Sequence, residues 1–127
     1  MRGTLDLFHL KVGFLWLLTG VTFGTWMGIT ENFQYANAHA HVGLLGFVLP
    51  VMFGILLKLY GRLKQAALSV LQFFVFHIGA ATLIAGKVIV TKSPELFQVA
   101  AIGSIITILG VLLFLVMIFG LKHKHIE

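Results

Sequence analysis

The sequence predicts an all-α integral membrane protein, in which four transmembrane helices form one bundle with both termini in the cytoplasm. Three observations support this fold class. Of the 127 residues, 59% are hydrophobic and only 10% are charged, whereas soluble domains typically carry about 25% charged residues. The mean hydropathy is +1.03. The apolar residues fall into four segments, each near the length needed to cross a hydrocarbon core of roughly 30 Å.

These four segments are expected to form helices within a single domain that spans residues 1–127. They extend from about Leu10 to Met27, Ala38 to Leu59, Ala66 to Val88 and Phe97 to Leu121. Short polar connections separate them, and Ser93 with Pro94 marks the start of the last helix. A cleavable signal peptide is the alternative for the first segment. Because no small-residue cleavage site follows a short apolar region, we expect a retained helix.

The basic residues predict the orientation of the bundle. Only Lys87 and Lys92 fall on one side of the predicted spans, and the other side carries Arg2, Lys11, Lys58, Arg62, Lys64, Lys122 and Lys124. Loops rich in lysine and arginine stay in the cytoplasm, so we expect both termini there. The net charge of +5 is then explained by membrane topology, and it does not indicate binding to nucleic acid.

Any metal chemistry of this chain depends on histidine. The chain has no cysteine, so thiolate ligation of iron, zinc or copper is excluded. His39 and His41 lie at the predicted outer end of the second helix, and His77 lies near the middle of the third. Ionisable residues inside a membrane are candidates for functional sites. The alternative is a solvated interfacial position for His39 and His41, and a hydrogen bond to a neighbouring helix for His77. The remaining histidines are expected to be solvated in the cytoplasmic flanks: His9, His123 and His125.

The spacing of His39 and His41 separates their side chains. Two residues correspond to a rotation of about 200° on an α-helix, so the rings leave the helix on nearly opposite faces and cannot easily bind one ion together. On the face of His39, Gly43 and Gly46 predict a groove that a flat ligand or another helix can approach. Hairpin geometry places His77 roughly 3 to 12 Å from the level of His41. No carboxylate is expected within the spans.

Three stretches carry a resemblance to a known family. They are "NAHAHVGLLGFV" in the second segment, "FFVFHIGA" in the third and "IGSIITILGVLLF" in the fourth. Together they resemble small four-helix membrane proteins related to the catalytic subunit of heme-copper oxidases, with the cytochrome cbb-type oxidases and nitric-oxide reductases as the nearest kin. The resemblance extends from the first helix to Phe119. In the large subunit of that family, twelve helices form three arcs of four, and one helix carries a His-x-His whose rings serve two different hemes.

The resemblance implies a heme b-binding protein that transfers electrons or binds a diatomic gas such as O2 or NO. It implies that His39 and His41 are heme ligands near Gly43 and Gly46, and that His77 is similar in position to a copper ligand. The chain departs from the family at the copper site, which needs three histidines, and it has no match for the tyrosine that supports oxygen reduction. Heme is therefore the expected cofactor, copper is the less expected metal, and an enzymatic activity is left open.

A homo-oligomer in the bacterial inner membrane is expected, with heme and the lipid bilayer as partners. If His39 of one protomer and His41 of the next bind the two sides of one heme, the contact is heterologous and must close into a ring. A trimer would resemble the three arcs of the large subunit, and a dimer is the second choice. The alternative from another class is a heme-free helical membrane subunit or a small transporter, for which broken helices with polar midplane groups are expected.

Overall fold

Four long helices form an up-and-down bundle in the computed structural model, which describes residues 1–123. The predictions for Lys124 and His125 lie outside the described residues. Helix α1 occupies Leu5–Thr30, α2 extends over Phe33–Leu59, α3 occupies Ser69–Lys92 and α4 occupies Gln98–Phe119. All four are long and apolar enough to cross a membrane, and the described part of the chain contains no strand. The prediction of an all-helical chain with four helices long and apolar enough to span a membrane is confirmed.

Three of the helices begin at residues that differ from the hydropathy prediction, and α2 does so by starting at Phe33 instead of near Ala38. Helix α1 starts at Leu5 instead of near Leu10, because a 3-10 turn at Arg2–Thr4 leads directly into it. Asp6 lies in its first turn, where a carboxylate interacts favourably with the helix dipole. Helix α3 starts at Ser69 instead of near Ala66, since a short helix, Gly61–Gln65, occupies the connection from α2. The different starts of α1 and α3 change the depths at which His9 and His77 lie in the bundle.

The hydrophobic core lies toward the end of the bundle that carries Arg2, Lys58, Arg62 and Lys64, which we call the basic end. Its buried members come from all four helices and the short helix: Leu5, Phe53, Leu57, Leu63, Phe73, Phe76, Ala80, Phe114 and Met117. The ring of Phe53 stacks on that of Phe114 with 4.4 Å between centroids and meets Phe76 edge-on at 4.9 Å. Phe53 therefore joins α2 to both α3 and α4.

Helices α3 and α4 pack backbone to backbone through glycine. Gly79 and Gly86 on α3, and Gly103 and Gly110 on α4, are each seven residues apart. A Cβ atom on Gly110 would lie only 2.6 Å from Cα of Phe76, and one on Gly103 would overlap the backbone nitrogen of Leu83. Small residues allow such an approach, and membrane helices need it because lipid provides no hydrophobic drive for their association.

Helices α1 and α2 use the same kind of contact. Gly20 of α1 faces Val42 of α2, and Gly54 of α2 faces the backbone of Asp6. The first contact lies near the middle of the hairpin and the second lies at the basic end. They fix the register of α1 against α2 and so determine which residues of α1 face the histidines of α2.

Helix α2 changes its winding along its length. A 3-10 turn at Phe33–Tyr35 leads into α-helix at Ala36–His41, π-helix at Val42–Val48 and α-helix again at Leu49–Leu59. Pro50 gives a physical reason for the wide segment. In an α-helix its ring would clash with the carbonyl four residues earlier, and a π segment loosens that turn. Helix α2 therefore continues past Pro50 without a break.

The outer surface of the bundle is suited to lipid. Helix α4 exposes a face of large apolar residues that includes Ile102, Ile105, Leu109, Leu112 and Val116. Hydroxyl groups within the spans donate to the carbonyl oxygen four residues earlier, as at Thr19, Thr82 and Ser104. These bonds satisfy polar groups that have no water available in a hydrocarbon core.

Gly103→Ala is expected to destabilise the hairpin of α3 and α4, because the added Cβ overlaps the backbone nitrogen of Leu83. Overpacking costs about 1 to 3 kcal/mol, and the free energy of unfolding should fall by that amount. Gly28→Ala is the matched control, since no atom lies within 4 Å of its Cβ position. Unfolding in mixed micelles followed by circular dichroism measures both variants. Equal stability of the two would contradict the packing described.

Candidate functional site

An open groove between α1 and α2 lies in the half of the bundle away from the basic end. Its volume is about 470 Å³, and its lining includes Trp16, Val21, Gly20, Gly24, His39 and Gly43. We call it the His39 groove. Gly43 leaves the backbone of α2 accessible, because no atom lies within 4 Å of its Cβ position, whereas Gly20 and Gly24 are covered by Val42 and His39. Among the lining residues, His39 carries the ring nitrogens that can bind a metal.

The ring of His39 contacts α1 at Gly24. A Cβ atom on Gly24 would lie 2.8 Å from Cε1 of His39, so the position of the ring depends on glycine there. Phe23 contacts the ring edge-on, with 6.0 Å between centroids. Nδ1 of His39 is buried and has no hydrogen-bond partner within residues 1–123. A ligand in the groove would therefore meet the other ring nitrogen, Nε2.

His41 is held by the backbone one turn earlier. Its Nδ1 lies 2.8 Å from the carbonyl oxygen of Asn37, and because a carbonyl only accepts, Nδ1 carries the proton. Nε2 then has a free lone pair, which is the arrangement typical of metal-binding histidines. His41 does not line the His39 groove. This placement agrees with the expectation that the two rings leave α2 on different faces.

The two glycines that follow His39 have different surroundings. No atom lies within 4 Å of a Cβ position on Gly43, which lines the groove. Gly46 faces the ring of Trp16, and a Cβ there would lie 2.6 Å from Cγ. Gly43 therefore contributes open space, whereas Gly46 allows close packing of α1 on α2.

His77 forms a pair with His9. Nε2 of His77 lies 3.0 Å from Nδ1 of His9, and His9 is fully buried. The expectation that His9 is a solvated flank residue is wrong, because α1 begins at Leu5 and His9 is already in its second turn. For His77, the structure favours the alternative of a hydrogen bond to a neighbouring helix.

His77 lies much nearer the basic end than His41. His41 precedes the end of α2 at Leu59 by 18 residues (59 − 41), and His77 follows the start of α3 at Ser69 by 8 residues (77 − 69). The difference of ten residues corresponds to roughly 15 Å at about 1.5 Å per residue. The difference in level of roughly 3 to 12 Å expected from the sequence is too small, because α3 starts at Ser69 instead of near Ala66. The candidate residues therefore form two separate sites.

Two buried polar side chains near the histidine pair were not predicted from the sequence. Asp6, only 5% exposed, lies with Oδ2 3.3 Å from Nζ of Lys64. Gln72 is fully buried and donates from Nε2 to the carbonyl oxygen of Gly110 over 3.3 Å. Because Asp6 lies inside α1, the expectation of no carboxylate within the spans is wrong. Their spacing could have indicated that Asp6 lies near His9, because residues three apart share a helix face.

No group of three or more His, Cys, Asp or Glu side chains that could hold a metal ion occurs in the described part of the chain. Within residues 1–123, one protomer therefore does not bring together the three histidines of a copper site. No protein-family model, curated protein or solved structure matches the chain. The likeness to heme-copper oxidase subunits depends on the quoted motifs alone and stays a prediction.

Removing one ring of the His9 and His77 pair should destabilise the bundle, because the other ring keeps a nitrogen without its partner. We expect His9→Leu and His77→Leu each to lower the free energy of unfolding by about 1 to 3 kcal/mol. The double variant should lose less than the sum, with a coupling of about 1 kcal/mol. Unfolding in mixed micelles measures the cycle. His41→Leu is the control, because its loss of stability should simply add to that of His77→Leu. Additive losses for His9→Leu and His77→Leu would argue against the hydrogen bond between the two rings.

Proposed function

We propose that the chain is a heme b-binding membrane protein that transfers electrons or binds a diatomic gas. The observation that carries this proposal is the position of His39 on a glycine-lined groove. The tautomer of His41 adds support, because its Nδ1–H donates to the carbonyl oxygen of Asn37 and Nε2 keeps its lone pair. Heme iron binds neutral imidazole nitrogen, and a flat apolar macrocycle needs an apolar surface with few projecting side chains.

The residues of the groove fit such a group. A volume of about 470 Å³ is within the range of roughly 300 to 1,000 Å³ that is usual for ligand pockets. Open space at Gly43 gives a flat ligand access to the backbone, and Trp16 and Val21 provide apolar walls. The groove is open on one side, so a second protomer or lipid would have to cover the rest of the ligand.

Each residue has a distinct role in this proposal. His39 would bind the iron from within the groove, and His41 would present Nε2 on another face of α2. When bound, heme supplies either a redox change at the iron or an open coordination position for a gas. Its propionates would meet the end of the bundle that carries Lys87 and Lys92, where Asn32 and nearby amides offer further donors.

His77 has no part in the heme site that we propose. Its Nε2 is engaged with His9, and it lies roughly 15 Å from the level of His41 along the bundle. This separation also argues against copper next to the heme within one protomer. A complete heme-copper active site, and oxygen reduction with it, is therefore not part of the proposal.

Ligands on two faces of α2 suggest that neighbouring protomers share a heme. His39 of one copy and His41 of the next would bind opposite sides of the ring, which requires a closed heterologous assembly. A homotrimer with one heme for each protomer is our first choice, and a dimer is the second.

The basic residues support an orientation with the basic end in the cytoplasm, and we place the protein in the bacterial inner membrane on the basis of the resemblance. Because the chain has no cysteine, a single introduced cysteine reports accessibility without background. In intact cells, Glu95→Cys should react with a membrane-impermeant maleimide and Arg62→Cys should not. The opposite pattern would reverse the orientation.

A heme-free membrane subunit or a small transporter is the alternative function. It predicts a colourless protein, even when the protein is produced in cells with ample heme. Visible absorption spectra of the purified protein, oxidised and reduced, decide between the two. A colourless preparation would refute heme binding.

Heme ligation by His39 and His41 predicts that His39→Ala and His41→Ala each remove the six-coordinate spectrum of every heme. Gly43→Leu, which fills the groove, should lower the ratio of heme to protein several-fold at unchanged helix content. Gly28→Leu is the matched control, because it adds the same side chain at an open glycine outside the groove. His77→Gln should retain heme. Normal heme content in His39→Ala would contradict the assigned ligand.

The same two variants also test shared ligation. A mixture of His39→Ala and His41→Ala should recover part of the six-coordinate sites, because some contacts then join an intact His41 to an intact His39. Native mass spectrometry combined with a heme assay should show a trimer. A stable heme-loaded monomer that keeps the six-coordinate spectrum would exclude sharing and leave the two histidines to separate sites.

A further inference from the structure

A second cavity lies at the basic end, between the connection from α2 to α3 and the end of α4. Its volume is about 390 Å³. The connection contributes Arg62 and Ala67 to its lining, and the other wall includes Met117 and Gly120. We call it the Arg62 cavity. It shares no lining residue with the His39 groove, so the heme that we propose leaves it unused.

The Arg62 cavity lies at the level where the membrane-spanning helices end. Helix α4 ends at Phe119, and the lining continues past it to Gly120 and Leu121. The facing wall belongs to the connection that leaves α2 and enters α3. In a bilayer, the ends of the spans reach the polar headgroups on either side of the hydrocarbon core. A ligand in this cavity would therefore lie at headgroup level.

The positive charge of Arg62 is not neutralised by a carboxylate within residues 1–123. Its side chain is exposed and forms no ion pair in that range. Asp6 is the carboxylate that the described chain places at the basic end, and Lys64 holds it at 3.3 Å. Glu31 and Glu95 lie at the opposite end of the bundle. A guanidinium presents its N–H donors in a fork that matches a phosphate, so the cavity complements a phosphate group.

The backbone around the cavity also suits an anion. Carbonyl groups at the end of a helix carry partial negative charge, but those of Val116 and Met117 already accept the N–H of Gly120. On the facing wall, the peptide N–H groups of Ala67 and Leu68 donate to no backbone carbonyl in the described chain. Both residues line the cavity. The connection therefore offers further donors beside the guanidinium.

An apolar stripe on α4 extends from the cavity toward the middle of the bundle. Val116 lines the cavity, and Leu112, Leu109 and Ile105 follow it at helical spacing on an exposed face. The stripe covers 11 residues (116 − 105), which is roughly 16 Å along the helix. This is about half of a hydrocarbon core of roughly 30 Å, the depth of one leaflet. An acyl chain attached to a phosphate in the cavity can lie along the whole stripe.

We propose that the Arg62 cavity binds one anionic phospholipid from the leaflet at the basic end. The guanidinium of Arg62 and the N–H groups of Ala67 and Leu68 bind the phosphate, and one acyl chain follows the stripe on α4. Membrane lipids with negative headgroups are attracted to clusters of lysine and arginine at the surface. The bound lipid joins the connection to α4, and so holds the two hairpins together at this end. The proposal does not depend on heme.

Native mass spectrometry of the full chain in detergent micelles tests the proposal. The protein is titrated with phosphatidylglycerol or with phosphatidylcholine that carries the same acyl chains. We expect one tightly retained phosphatidylglycerol for each protomer, and several-fold weaker retention of phosphatidylcholine, because arginine repels its trimethylammonium group. Excess inorganic phosphate should not displace the lipid, since the acyl chain contributes to binding. Equal retention of the two lipids, or displacement by phosphate, would overturn the proposal.

Charge variants separate a site from general attraction to a positive surface. Arg62→Gln should lower the affinity for phosphatidylglycerol about tenfold, the loss expected for a hydrogen bond to a charged group, and should leave retention of phosphatidylcholine unchanged. Arg2→Gln is the matched control, because it removes the same charge at the same end from a residue that does not line the cavity. Equal losses in the two variants would overturn the proposal.

A variant that fills the cavity tests its shape at constant charge. Ala67→Leu should lower the affinity for phosphatidylglycerol several-fold at unchanged helix content. Gly61→Leu is the control, since it adds a leucine to the same connection at an open position outside the cavity, and it should retain the lipid. Full retention in Ala67→Leu would contradict binding inside the cavity.

Discussion

Helices in lipid gain little from burying apolar side chains against one another, so their association depends on how closely their backbones approach. Glycine provides this approach in both hairpins. Gly79 and Gly86 bring α3 against the backbone of α4, and Gly20 brings α1 against Val42 of α2. Because these contacts leave no space for a side chain, a slip of either hairpin would create overlaps. The depth of each polar group follows from the register that glycine sets.

That register gives the histidines two different environments. His39 lies against Gly24 beside an open groove, where a ligand can reach the ring. His9 lies among phenylalanine rings and faces His77, so that large molecules have no access to it. The first environment leaves an imidazole accessible to a ligand, and the second engages it in a contact between two helices. One small bundle thus gives its imidazole rings two different surroundings in its opposite halves.

The four spans could be predicted because long apolar runs admit few structures in lipid other than helices. The separation of His39 from His41 followed from helical rotation alone. The start of α1 could not be predicted in this way, since Asp6 and His9 lower the hydropathy of its first turns. Their polarity is compatible with the span because of Lys64 and His77, which are 58 and 68 residues away in sequence. Such partners depend on tertiary contacts that no local pattern contains.

The π-helix at Val42–Val48 has a consequence for comparing this chain with others. A π turn contains one residue more than the α turn that it replaces, so it is equivalent to a single-residue insertion within a continuous helix. A relative that lacks it would align with α2 only through a one-residue gap between His41 and Pro50. An ungapped comparison could match the histidine-bearing half or the half that follows Pro50, and never both. Kinship with such a relative would be visible across this helix only when a gap is permitted inside the transmembrane segment.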